Sequence, residues 1–156
     1  MKLIIKQKLL SWFDSYNVYD ENDNIIYVVK GKLSWGHKFL IFDSNGNEVG
    51  CVNEKIFTIM PTFEVFNNGF KIGQIKKKFT FIKPKYYFDL GEFDIVGDIW
   101  GLNYSITKYG KIIATINEKF FSLTDTYIIE TSTDDALNVL LIVLAIDADK
   151  CNKKNN

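Results

Sequence analysis

Lys76, Lys77 and Lys78 form the densest run of charge in the chain, with Lys83 and Lys85 close behind. Ammonium groups at this density suit an anion, either a phosphate or the headgroup of an acidic phospholipid. The commoner use of such a run is a solvated strand end, where lysine also discourages a second chain from pairing along the edge. In a strand Lys76 and Lys78 point to one face and Lys77 to the other, so the run is not one continuous patch. All nineteen basic residues are lysine. Bidentate guanidinium clamps are therefore excluded, and any anion site must use ammonium or backbone N–H groups.

Other reactive side chains fall into weaker patterns. His37 is the single histidine, in Trp35-Gly36-His37-Lys38. No serine or cysteine accompanies it in a nucleophile motif, and we read it as a turn or surface residue. Cys51 and Cys151 lack metal-ligand spacing, so no zinc site is expected. Asp134 and Asp135 are neighbours that do not face each other on a helix, and they stand where helix capping wants acid. Asp89, Glu92, Asp94 and Asp98 lack the spacing of a calcium loop and read as a solvated face. Trp12 and Trp35 read as core or rim packing. The chain has no glycine-rich phosphate loop, nucleophile elbow or HExxH motif. We expect a non-enzymatic protein without catalytic residues, metal or cofactor.

Nineteen acidic residues balance the nineteen lysines. No global field concentrates nucleic acid, so DNA and RNA are not expected partners. Cys51 lies in an apolar strand context and Cys151 in a polar tail. A buried thiol and a free exposed one suit a reducing compartment. The apolar stretch after Met1 is too short for a signal peptide. We therefore expect a cytoplasmic location.

The elements that position these residues are marked by a repeat. Turn signals recur at Asn22-Asp23-Asn24, Asn45-Gly46, Asn68-Gly69, Gly91 and Tyr109-Gly110. Alternating apolar residues flank them, and Asn-Gly tolerates the positive φ of a type I′ hairpin turn. Between hairpins the chain repeats a lysine followed by an apolar-hydroxyl-apolar triplet: Leu10-Ser11-Trp12, Leu33-Ser34-Trp35, Phe57-Thr58-Ile59, Phe79-Thr80-Phe81 and Phe121-Ser122-Leu123. This spacing predicts ten to twelve strands in a sandwich or barrel. Pro61 and Pro84 follow repeat triplets, where a strand end accepts a missing N–H.

A helix over 134–149 breaks the pattern, with Thr133 as N-cap and Asp134 and Asp135 in its first turn. Val139 to Ile146 is continuously apolar. Such a run covers every face of a helix and must be surrounded by apolar partners. It falls short of the about 20 residues needed to cross a bilayer. The economical solution is a single domain over residues 1–150, with the helix threaded through a closed barrel and residues 151–156 as a polar tail. A filled barrel leaves no large interior cavity.

Three segments carry a resemblance to a known family. The opening Lys6 to Asp14, the Asp-x-x-Gly-x-x-Val-Gly hairpin (Asp43 to Gly50) and the closing helix with Ala145-Ile146-Asp147 resemble LURP-one-related (LOR) proteins. The likeness spans nearly the whole chain. It implies the fold shared with the tubby C-terminal domain and the phospholipid scramblases: mainly β, about twelve antiparallel strands in a barrel around a hydrophobic C-terminal helix. It also implies a membrane connection, since tubby proteins bind phosphoinositides through a basic surface and scramblases act at membranes. Tubby's lipid-binding residues find no counterparts here, and the lack of arginine is a departure. We expect a binding or scaffold module that meets an anionic phospholipid membrane surface peripherally through Lys76, Lys77, Lys78, Lys83 and Lys85. The alternative is a structural or protein-interaction domain with an exposed aromatic patch and no lipid affinity.

Overall fold

The computed structural model describes residues 1–6, 15–34, 36–78, 85–121, 124–132 and 134–151. Twelve strands precede one helix: β1 (Lys2–Ile5), β2 (Ser15–Tyr19), β3 (Ile25–Ser34), β4 (Gly36–Asp43), β5 (Glu48–Glu54), β6 (Thr62–Asn67), β7 (Phe70–Lys78), β8 (Lys85–Asp89), β9 (Phe93–Asp98), β10 (Asn103–Lys108), β11 (Lys111–Phe121), β12 (Thr124–Thr131) and α1 (Ala136–Cys151). Strands form where buried and open residues alternate. In β2, Tyr16 and Val18 are buried between more open neighbours, and in β10 Tyr104 is buried between Asn103 and Ser105. Period-2 burial sends each apolar set to one face of the sheet.

Every pairing is antiparallel, and all but one join chain neighbours. The exception closes the ring: β1 pairs with β12, Leu3 opposite Ile129. The order ends at β8 and β9, which are joined by a short turn and one bridge, Leu90 to Phe93. The result is a nearly closed barrel around a single helix.

The hairpin turns lie at one end, called here the turn end. Asn68 and Gly69 both take positive φ (46° and 80°), as do Tyr109 and Gly110 (49° and 76°). Those two are the expected type I′ pairs. The Asn45-Gly46 turn differs, because only Gly46 is left-handed. Asp43 organises that turn instead. Its carboxylate accepts the N–H groups of Asn45 (2.9 Å) and Asn47 (2.8 Å) and the Asn47 amide (3.1 Å). Asp20 does the same for Asn22 and Asn24 one repeat earlier.

The helix starts two residues later than its pattern predicts and runs to Cys151, so the expected tail at 151 loses its first residue to α1. Its first turn holds no acid. Asp134 and Asp135 precede it, and Ser132 Oγ accepts the Asp135 N–H at 3.3 Å. Thr133, the expected cap, lies outside the described residues. From Val139 to Ile146 every residue is at most 1% exposed. The helix therefore fills the barrel as expected and packs most closely on β5 and β6.

That approach depends on Gly50 in β5. A Cβ there would stand 2.9 Å from Leu141 Cδ2. We expect Gly50→Val to lower stability by about 1–3 kcal/mol, the usual cost of overpacking a filled core. A urea denaturation midpoint equal to wild type would show that α1 can move off β5 freely.

Candidate functional site

β6 pairs with β7 through Thr62 and Lys76, and β7 pairs with β8 through Lys76 and Tyr87, Lys77 and Tyr86, and Lys78 and Lys85. The lysine run therefore extends past the start of β6, at the end of the barrel opposite the turns. We call this the loop end. Lys76 is exposed there. The side chains of Lys77, Lys78 and Lys85, and all of Lys83, lie outside the described residues, as do Trp12 and Trp35. The register thus brings four of the five predicted lysine positions together.

The β5–β6 connection stands beside them and displays apolar side chains. Ile59 is fully exposed, Phe57 is 92% exposed and Ile56 is 44% exposed. The loop is a built turn. Lys55 N–H donates to Thr62 O at 2.8 Å, Thr58 Oγ1 donates to Lys55 O at 3.2 Å, and Thr62 Oγ1 donates to Met60 O at 3.1 Å. Phe57 has φ 62°. An aromatic residue in the left-handed region costs about 1–3 kcal/mol, which the surrounding turn must offset.

Two residues of β4 brace the start of this loop. A Cβ on Gly36 (φ 104°) would meet Glu54 O at 2.9 Å and Ile56 Cγ2 at 3.1 Å, so only glycine lets β4 run this close. His37 is half-buried. Its Nδ1 hydrogen-bonds Glu54 Oε2, and its backbone N–H donates to the same oxygen at 3.1 Å. His37 thus belongs to a side-chain pair rather than to a turn or open surface. Trp100, 39% exposed, stands on the β9–β10 connection at this end.

At the turn end, hydrogen bonds from the side chains of Asn24 and Asn47 hold the carboxyls of Asp20 and Asp43 below the usual aspartate range. The Tyr109 hydroxyl, then Lys108, does the same for Glu92. Lys108 bonds Asp135 Oδ1 (2.9 Å) and Glu92 Oε1 (3.2 Å), and these carboxylates raise its ammonium pKa, Asp135 most. Of the acids predicted as a solvated face, Asp89, Asp94 and Asp98 are exposed and Glu92 is half-buried, and each has its own partner: Asp89 accepts from Gln74, Glu92 from Lys108, Asp94 from the Ile95 N–H, and Asp98 from the Trp100 and Gly101 N–H groups.

A surface cavity of about 620 Å³ opens at the turn end, lined by Asn67, Phe70, Leu90, Glu92, Phe93 and Asn138 among others. Asn67 Nδ2 donates to Asn138 Oδ1 across it at 2.5 Å. Cys51, expected to be buried, is half-buried in β5, and burial pushes its thiol up. Among the described residues no group of three or more His, Cys, Asp or Glu side chains could hold a metal ion.

The family model of LURP-one-related proteins matches residues 1–147. The chain belongs to the LURP-one-related family. This LOR barrel is also similar to the X-ray structure of an Arabidopsis thaliana protein. The TM-score is 0.63 at 15% identity, over 99% of this chain and 91% of that one. That likeness shows the fold. None of the curated proteins matches the sequence. No helix among the described residues is long and apolar enough to cross a membrane.

Sequence reasoning on this LOR chain missed the display of Phe57 and Ile59 and the part Glu54 plays beside His37. A signal for the first was present, since Phe57-Thr58-Ile59 follows Lys55 as one copy of the repeat. The triplet reads equally well as core.

Proposed function

We propose that this LOR protein is a non-enzymatic binding module that docks peripherally on an anionic phospholipid surface, on the cytoplasmic side, through the loop end of its barrel. The observation that carries this reading is the β6–β7–β8 register, which gathers Lys76, Lys77, Lys78 and Lys85 at one end. Lys83 falls between Lys78 and Lys85 in the chain. The turn carboxylates Asp20 and Asp43 stand at the other end, where Lys108 offsets Glu92. An anionic bilayer attracts the first and repels the second, which orients the barrel although its net charge is zero.

Co-sedimentation with neutral and anionic liposomes, at low and physiological salt, tests this. Binding is expected only to anionic vesicles and is expected to weaken with salt. Each lysine near such a surface contributes about 1 kcal/mol. Changing Lys76, Lys77 and Lys78 together to Glu should therefore weaken binding by about a hundredfold or more. Unchanged binding of that variant would discard the lysine site. Absence of vesicle binding under every condition would leave a protein-interaction domain without lipid affinity.

A further inference from the structure

The lysine-led apolar-hydroxyl-apolar triplet is the one sequence motif that neither the core nor the lysine site absorbs. The copy whose side chains are all described, Phe57-Thr58-Ile59, does not pack inward. Phe57 and Ile59 are 92% and 100% exposed at the tip of the β5–β6 connection. We infer that this tip is a membrane-inserting element: Phe57 and Ile59 enter the apolar boundary of an anionic bilayer while Lys55 and Lys76 stay at its headgroups. The inference rests on the lipid reading above and names the part of the loop end that enters the bilayer.

Two observations favour a bilayer as the occupant. First, the side chains protrude from a narrow turn. A bilayer accepts a protrusion anywhere on its surface, whereas a protein partner must supply a fitted pocket. Second, the flanking charge suits an acidic headgroup. Lys76 is exposed beside the tip, opposite Thr62, the first residue after the loop, and Lys55, exposed at its base, stands 3.7 Å from Glu64 Oε1. Apolar insertion with basic flanks is the usual two-part signal of a peripheral anchor.

The other exposed apolar residues supply the control. Phe70 is 79% exposed, yet it lines the turn-end cavity with Glu92. It should contribute nothing to an anionic surface.

The test compares wild type, a Phe57→Ser/Ile59→Ser double variant and Phe70→Ser by co-sedimentation with phosphatidylserine-containing and pure phosphatidylcholine vesicles. Thermal melts check that each variant folds. We expect wild type to bind phosphatidylserine vesicles and to keep part of that binding at about 1 M salt, where the Debye length is about 3 Å. The double variant should bind about a hundredfold more weakly, roughly tenfold per buried side chain, and lose the salt-resistant part. Phe70→Ser should bind like wild type. Equal binding of the double variant and wild type would overturn the insertion and leave the lysine reading standing. Equal weakening by Phe70→Ser would overturn it as unspecific stickiness. No wild-type binding to any vesicle would sink both readings. A wild type that self-associates in solution and becomes monomeric in the double variant would assign the tip to a second copy of the chain instead.

Discussion

A chain cut after Thr133 is expected to show no cooperative unfolding transition. The cut leaves all twelve strands and removes only α1, but the interior of the barrel is built on that helix. Val139 to Ile146 are each at most 1% exposed, and the inward side chains of the sheet, Ile41, Val52, Phe63, Val65 and Ile75 among them, belong to the same buried cluster. Burying one such side chain contributes about 1.5–3 kcal/mol. The eight together match or exceed the about 5–15 kcal/mol of net stability typical of a domain. The strands would also lose their packing partner, because a barrel of this size cannot fill its centre with the remaining side chains. Circular dichroism and thermal melting of the purified fragment check this. A soluble fragment with a sharp transition would show that the sheet holds itself together without the helix.

Alkaline destabilisation is the second large effect expected. Tyr104 is 4% exposed, and burial, then the carboxylate of Asp147, holds its phenol well above the ordinary value of 10. A group whose folded pKa is raised adds stability that is fully present below the unfolded pKa and is lost as pH climbs towards the folded one. Below pH 10 both states carry the proton and stability is flat. Above it the unfolded phenol ionises while the folded one does not. Stability then falls by up to about 1.4 kcal/mol per pH unit for as long as only the unfolded phenol ionises. Tyr27 adds to the same slope, since burial raises its phenol too. Urea midpoints measured across this range should fall steeply for wild type and less steeply for Tyr104→Phe. Equal slopes would remove Tyr104 as the cause.

Much of the barrel is legible because hairpins and a wholly apolar helix leave local marks. Gly69 and Gly110 mark turns because a left-handed φ favours glycine, and the same demand recurs at each hairpin. Val139 to Ile146 announce their burial because no face of that run is polar. Features set by distant partners left no such mark. Asp135 reads as a first-turn acid, yet its carboxylate meets Lys108 on β10 and the helix begins after it. Glu54 carries nothing in its neighbourhood to pair it with His37; the β4–β5 register does that. The lysine run was visible, but the barrel end it occupies depends on Thr62 standing opposite Lys76. Phe57-Thr58-Ile59 has the composition of a core segment, and only a turn that holds Phe57 at positive φ turns it outward.

The pairing of β1 with β12 sets the order in which this protein can be made. Lys2 to Ile5 leave a ribosome more than a hundred residues before their partners Tyr127 to Glu130. Hairpins from β2 to β11 join neighbours and can assemble while synthesis proceeds, but the ring stays open until β12 exists. The helix that fills it arrives later still. Non-local closure of this kind is slow and exposes apolar surface meanwhile. A nascent chain therefore carries an open, unfilled sheet until β12 and α1 emerge, and its yield in a cell depends on how well that interval is protected.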